Sequence, residues 1–365
     1  MKSGEKEAKL KKIRPVEAKN GARKTKMKEL RPDKEGTWGE ERENKRIMSR
    51  TRERVGIKTK TRGRHMEQKT LRAEDGYKLS LSIFEAENAR GCVQIIHGME
   101  EHKERYDDFA QELQKAGFTV VSSDMRGHGV GAPELGFFKE KDGYKLLLSD
   151  QKRITDYIRE RFGVKKVNIF AHSMGTIIAR NLLQTESAKY ERVVLSGYPY
   201  HPGKAAVAAG FLLTDVIGLV KGPKYHSKLV QMASTGSFNK AIQNPKTELD
   251  WLSVNEENVA NYMDDPYCGH GFSVSAYHDL FSLVSNMEKV SNYKHVNKIL
   301  PILMLRGKED PSTGFDKGAK QSVATLRAAG FARIKTTEYD NMRHEILNEK
   351  EKQKVIDDVI AFYRA

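Results

Sequence analysis

The chain has 365 residues, 38% of them hydrophobic, and a formal net charge of +15. That length allows one large core, or one core with a smaller unit beside it. Two cysteines, Cys92 and Cys268, exclude a disulfide framework, and no Cys/His spacing suggests a zinc site.

The charge is unevenly placed. Residues 1–65 hold 23 Lys+Arg against 10 Asp+Glu, a net of +13, which leaves the remainder nearly neutral at +2. This tail has almost no apolar periodicity, so it cannot bury enough surface to offset its ordering entropy and is expected to be disordered. A basic arm can attach to nucleic acid or an anionic membrane surface. An incidental or non-native tail is the favoured reading, because Met66-Glu-Gln-Lys-Thr-Leu resembles a natural start just before the first strand pattern. The near-neutral remainder argues against a nucleic-acid partner. Charges throughout the N-terminus exclude a secretory signal, and no uninterrupted apolar run approaches the ~20 residues needed to cross a bilayer. A cytoplasmic location follows as the expectation.

Tyr77 to Phe84 alternates apolar and polar residues, as a half-buried antiparallel strand does. Gly91 to Ile96 is a continuous apolar run, expected of a strand buried on both faces. It ends in His97-Gly98-Met99-Glu100-Glu101-His102. Tyr106, Phe109, Ala110 and Leu113 then fall on one helix face, Gly117 ends that helix, and Phe118–Val121 reads as another buried strand. Asp124-Met-Arg-Gly-His-Gly129 makes a glycine-rich turn before a helical pattern from about Asp142 to Arg161.

Val167, Ile169 and Phe170 form a further strand that runs through Ala171-His-Ser-Met-Gly175 straight into the helical pattern 176–183. A strand passing into a helix without a loop, with small residues around one serine, is the layout of a nucleophile elbow at Ser173. The N–H of Met174 opens the following helix, where the dipole favours a developing oxyanion. After the strand Val193–Leu195, residues from about 198 to 293 break the rhythm with helical stretches such as 211–220 and 251–262, and read as an inserted cap. Ala205–Val220 could line an acyl tunnel or rest on a lipid surface, although ordinary cap packing is the simpler reading for most of its residues. Alternation resumes with a strand at Ile299–Leu305, a helix near Lys317–Ala329, a strand at Ala332–Thr337 and a last helix carrying Val355, Ile356, Val359 and Ile360.

This order calls for an α/β fold: a mostly parallel sheet with helices on both faces and sites at the carboxyl ends of strands. The expected division is a tail at 1–65, core at 66–197, cap at 198–293 and core at 294–365. A serine hydroxyl needs a base oriented by an acid, and in such sheets both follow the serine. Asp310, preferred over Glu309 and Asp340 because Pro311 fixes the backbone beside it, lies beyond one late strand, and His344 lies beyond the next. Either alone reads as a turn-forming Asp-Pro or a surface histidine. Together, in the expected order, they complete a Ser173/Asp310/His344 triad. The second oxyanion donor would be the N–H of Met99. His97, His102 and His128 are read as holding loops by hydrogen bonding.

His97-Gly-Met-Glu-Glu-His102 with Arg105-Tyr106, Asp124-Met-Arg-Gly-His-Gly129, Ala171-His-Ser-Met-Gly175, Asp310-Pro311 and His344 together resemble the monoacylglycerol lipase/lysophospholipase-like α/β-hydrolases. Trp251-Leu-Ser, Asp265-Pro266 and Cys268-Gly269 are similar to bacterial members, and the likeness spans roughly residues 70–365. The resemblance implies an α/β-hydrolase fold, Ser173 as nucleophile with Asp310 and His344 as partners, Met99 and Met174 as oxyanion donors, and a monoacylglycerol or lysophospholipid as substrate. It implies no metal or organic cofactor. Thioesterases, aminopeptidases and C–C hydrolases use the same triad, and a binding protein that has lost catalysis could share the scaffold.

Overall fold

The computed structural model describes residues 66–365, so the expectation of a disordered tail lies outside the described residues. The strands are β1 (Met66–Arg72), β2 (Lys78–Phe84), β3 (Gly91–Ile96), β4 (Phe118–Ser123), β5 (Val167–His172), β6 (Tyr190–Ser196), β7 (Ile302–Gly307) and β8 (Ile334–Tyr339). They form one sheet in the order β1-β2-β4-β3-β5-β6-β7-β8. The β1–β2 and β2–β4 pairs are antiparallel and every other pair is parallel. The helices are α1 (Asp107–Lys115), α2 (Gly143–Phe162), α3 (Met174–Glu186), α4 (Lys204–Lys221), α5 (Lys228–Ser234), α6 (Glu256–Asp264), α7 (Val274–Met287), α8 (Phe315–Ala328) and α9 (Lys352–Arg364).

The continuous apolar runs resolve into two faces with the strand's period of two. Ile169 and Ala171 of β5, Leu195 of β6 and Met304 of β7 pack with Ile177, Ile178 and Leu182 of α3 and with Leu283 of α7. Phe170, Val194 and Leu303, one residue out of phase, pack with Phe109 and Leu113 of α1 and with Val355 and Val359 of α9. The middle of each central strand is therefore apolar on both faces because it serves two layers.

Three expectations shift at the sheet margins. β1 precedes the first strand pattern in the sequence, and only Leu71 of its seven residues is buried, so it carries no alternation to read. The strand expected from Ile299 begins at Ile302, just after Pro301, which has no N–H to donate. The strand expected at 332–337 runs from Ile334 to Tyr339, because Ala332 bonds to the Lys298 carbonyl rather than to the ladder.

Between β6 and β7 the chain leaves the alternation for α4 to α7. In α4 only Val207, Gly210 and Thr214 are buried, and Leu212, Val216, Leu219 and Val220 are exposed. Packing within the fold thus accounts for one narrow stripe of this helix, fewer residues than expected.

Candidate active site

β5 delivers Ser173 at φ 50° and ψ −120°, a left-handed conformation that costs a non-glycine residue energy. The surroundings hold it there. The Ser173 N–H donates to the Ser196 carbonyl of the neighbouring strand at 3.0 Å, and the Ser173 carbonyl accepts from the Thr176 N–H at 2.8 Å and the Thr176 hydroxyl at 2.7 Å. Gly175 is required by space, since a Cβ there would meet the carbonyl oxygens of Ile96 and His97. The start of α3 is therefore pressed onto the end of β3, where the next loop begins.

That loop carries Gly98, where a Cβ would sit 3.0 Å from the Ser173 Cβ. Its fastening is polar. The His97 Nδ1–H donates to the Gly98 carbonyl at 2.8 Å, and His97 Nε2 accepts from the Met125 N–H at 3.0 Å. This arrangement calls for a neutral ring, and burial pushes the His97 pKa down. His128 acts alike, donating to the Arg126 carbonyl at 2.8 Å and accepting from the Glu100 N–H at 3.3 Å. Both are loop-holding histidines, as the sequence suggests.

Asp310 and His344 come together at the ends of β7 and β8. The His344 Nδ1–H donates to Asp310 Oδ2 at 2.9 Å, and the Ser312 N–H donates to Asp310 Oδ1 at 2.8 Å. Burial pushes the Asp310 pKa up, but the His344 charge and these hydrogen bonds outweigh it and leave the carboxyl lowered. Burial likewise pulls His344 down, and the Asp310 charge more than reverses that. The rivals point elsewhere: Asp340 pairs with Lys308 at 2.6 Å, and Glu309 lies 3.7 Å from Arg343.

Ser173, His344, Met99 and Met174 line one cavity of about 600 Å³. Among the described residues Ser173 Oγ makes no hydrogen bond to His344, and both side chains border the same cavity. Trp251 covers the outer face of His344 with ring centroids 4.9 Å apart, and His172 lies 4.7 Å from it. Burial and the His344 charge push His172 down to about 4, so a neutral imidazole backs His344. The remaining walls are largely apolar, with Val207, Leu213, Leu280, Phe281 and Val284 among them.

Sequence reasoning missed the polar frame around this cavity. Glu101 Oε1 accepts from the Gly98 N–H at 2.5 Å and from the Tyr106 hydroxyl at 2.8 Å, while its Oε2 accepts from Arg105 at 2.7 Å. Arg105 also grips Glu345, the residue after His344, and reaches Asn258 of α6 at 3.3 Å. These partners lie up to 240 positions apart, so no local spacing could reveal them. Ser312 was also missed; its hydroxyl lies 2.9 Å from His344 Nδ1.

An eight-stranded, mostly parallel sheet with helices on both faces and a strained serine at the β5–α3 turn defines an α/β-hydrolase fold. More narrowly, the chain belongs to the hydrolase family described as serine aminopeptidase, S33, whose model matches residues 87–351. It is 26% identical over 284 residues to a monoacylglycerol lipase of Mycolicibacterium smegmatis, covering 75% of this chain and 88% of the relative. It is 22% identical over 270 residues to a probable lysophospholipase L2 of Haemophilus influenzae, covering 72% and 79%. Its fold is similar to that of a thermostable carboxyl esterase from Bacillus coagulans, with TM-score 0.75, 23% identity, and 82% and 98% of the two chains covered. No helix among the described residues is long and apolar enough to cross a membrane.

Proposed function

We propose that this chain is a serine hydrolase of carboxylic esters, acting on monoacylglycerols or lysophospholipids through an acyl-enzyme on Ser173. The observation that carries the reading is the strained Ser173 opening into an apolar cavity that also holds His344, itself bonded to a buried acid. With Nδ1 engaged by Asp310, His344 has Nε2 free to take the Ser173 proton as the hydroxyl attacks the ester carbonyl. The N–H groups of Met99 and Met174 receive the oxyanion, the alcohol leaves with the proton from His344, and water activated by the same ring releases the acid. The names of the two curated relatives support a glycerol or glycerophosphate ester as the substrate class.

In this reading residues 198–293 act as the cap, and the exposed apolar side of α4 touches a lipid surface from which substrate enters. Two free, buried cysteines suit a reducing compartment, and a cytoplasmic location is part of the proposal. An aminopeptidase reading draws on the family description and needs a carboxylate to hold the substrate ammonium. Of the glutamates that border the cavity, Glu101 and Glu345 are engaged by Arg105, whereas Glu100 and Glu248 have no ion-pair partner among the described residues. The ester reading is preferred for the largely apolar walls and the names of the two relatives. Hydrolysis of p-nitrophenyl esters from acetate to palmitate, by wild type and Ser173→Ala, tests it. Turnover lost in the variant is expected, and absence of turnover on every ester would refute the proposal.

A further inference from the structure

A second cluster of metal-ligand side chains lies outside the site described above, where the loop after β3 meets the turn after α6. One ring nitrogen of His102, a carboxylate oxygen of Asp265 and the sulfur of Cys268 all lie within 4.8 Å of one another. His102 and Cys268 are buried, and Asp265, its side chain 23% exposed, leaves an approach from solvent.

The cluster is organised rather than merely crowded. Asp265 and Cys268 belong to one turn, in which the Cys268 N–H donates to the Asp265 carbonyl at 3.1 Å and the Tyr267 N–H donates to Asp265 Oδ1 at 2.8 Å. Both donors are thus aimed from one short piece of backbone. His102 approaches from the opposite side with Nε2 2.9 Å from Asp265 Oδ2, while its Nδ1 is held by Glu104 at 2.8 Å. A histidine with each ring nitrogen on a carboxylate and a thiol close by has the orientation that outer partners give to metal-bound imidazole.

We propose that His102, Asp265 and Cys268 bind a zinc-class divalent cation that ties the loop bearing Met99 to the turn after α6. The mixed sulfur, nitrogen and oxygen set suits zinc and not magnesium or calcium, which take oxygen ligands. Donor atoms around a tetrahedral zinc stand roughly 3.3–3.8 Å apart, given bond lengths of about 2.0–2.3 Å, so the His102–Asp265 pair opens slightly and the donors adjust by side-chain movement to hold the ion. The cation takes the place of the Nε2 proton of His102 and of the Cys268 thiol proton, and both protons pass to solvent, while Glu104 keeps the Nδ1–H. Occupancy would brace the loop through contacts that already join it to this turn, where the Gly269 N–H donates to the Glu100 carbonyl at 3.0 Å and the Tyr262 hydroxyl donates to the same oxygen at 2.8 Å. The sequence hides the site because His102 and Asp265 are 163 positions apart.

Cobalt titration of the chelator-treated full chain tests the proposal. A thiolate-to-cobalt charge-transfer band can come only from Cys92 or Cys268, the two cysteines of the chain. The band should appear at saturating cobalt, disappear when zinc is added, persist in Cys92→Ala, vanish in Cys268→Ser and weaken at least tenfold in apparent affinity in Asp265→Asn, which keeps the thiol. Zinc should raise the melting temperature of wild type and leave that of Cys268→Ser unmoved. No band in wild type, or a band that survives Cys268→Ser, would overturn the assignment and leave His102 as an ion-paired imidazolium only.

Discussion

Arg105 and Glu345 meet fork to fork, with Nη1–Oε1 and Nη2–Oε2 both at 2.7 Å in a buried setting. The same guanidinium holds Glu101, whose other oxygen accepts the Gly98 N–H. One side chain therefore fixes the loop bearing Met99 relative to the loop bearing His344. Lysine cannot reproduce a bidentate fork, so Arg105→Lys is expected to lower kcat by about 10²-fold through misplacement, with a smaller effect on KM. Lysine keeps the charge but forfeits hydrogen bonds to Glu345, Glu101 or Asn258, each charged one worth about 1.5–3 kcal/mol, so a clear loss of stability in urea should accompany it. Steady-state kinetics and denaturation of the purified variant check both outcomes.

The Asp310 charge raises the His344 pKa above its ordinary value of 6.5. The folded state then holds this proton more tightly than the unfolded chain. The resulting stability is full below about pH 6.5 and is lost as pH rises through the higher folded value. The base form of His344 appears over that same window, so kcat/KM should climb there. Asp310→Asn removes the charge, and the acidic limb should move to lower pH while kcat falls by about 10⁴-fold. An unmoved limb would assign it to another group.

Gly175→Ala would drive a Cβ onto the carbonyl oxygens of Ile96 and His97, neither of which is the end of a flexible side chain. The cost should be about 1–3 kcal/mol, as for overpacking elsewhere. Because the shift falls between Ser173 and the loop after β3, activity should drop by more than the lost folded fraction explains. Thermal melts beside turnover measurements separate the two.

The exposed row Leu212, Val216, Leu219 and Val220 on α4 gives a further prediction. Leu219→Glu, at a residue 88% exposed, should leave hydrolysis of soluble short-chain esters unchanged. It should weaken binding to phospholipid vesicles and slow turnover of substrate embedded in them. Equal rates on both substrate forms would remove the lipid surface from the account.

Sheet, helix order and the serine turn were legible because each is a local pattern. Val167, Ile169 and Phe170 read as a strand, and Ile169 and Phe170 pack into opposite layers. Asp310 was legible against Glu309 and Asp340, and it alone of the three bonds to His344. β1 was not, since a mostly exposed edge strand needs no apolar alternation. Nor were Arg105, Glu101 and Glu345 legible as a unit, because their meeting depends on the whole sheet order. For Ala205–Val220 the sequence left cap packing, an acyl tunnel and a lipid surface open, with packing the simplest, because an apolar run cannot say which faces find a partner.

The most direct test of the central claim is to locate the covalent adduct. Wild type incubated with a fluorophosphonate, then digested and sequenced by mass spectrometry, should carry one phosphonyl group on Ser173. Labelling should fall by orders of magnitude in His344→Ala. An unlabelled chain that is folded by circular dichroism, or an adduct on any residue other than Ser173, would contradict the account.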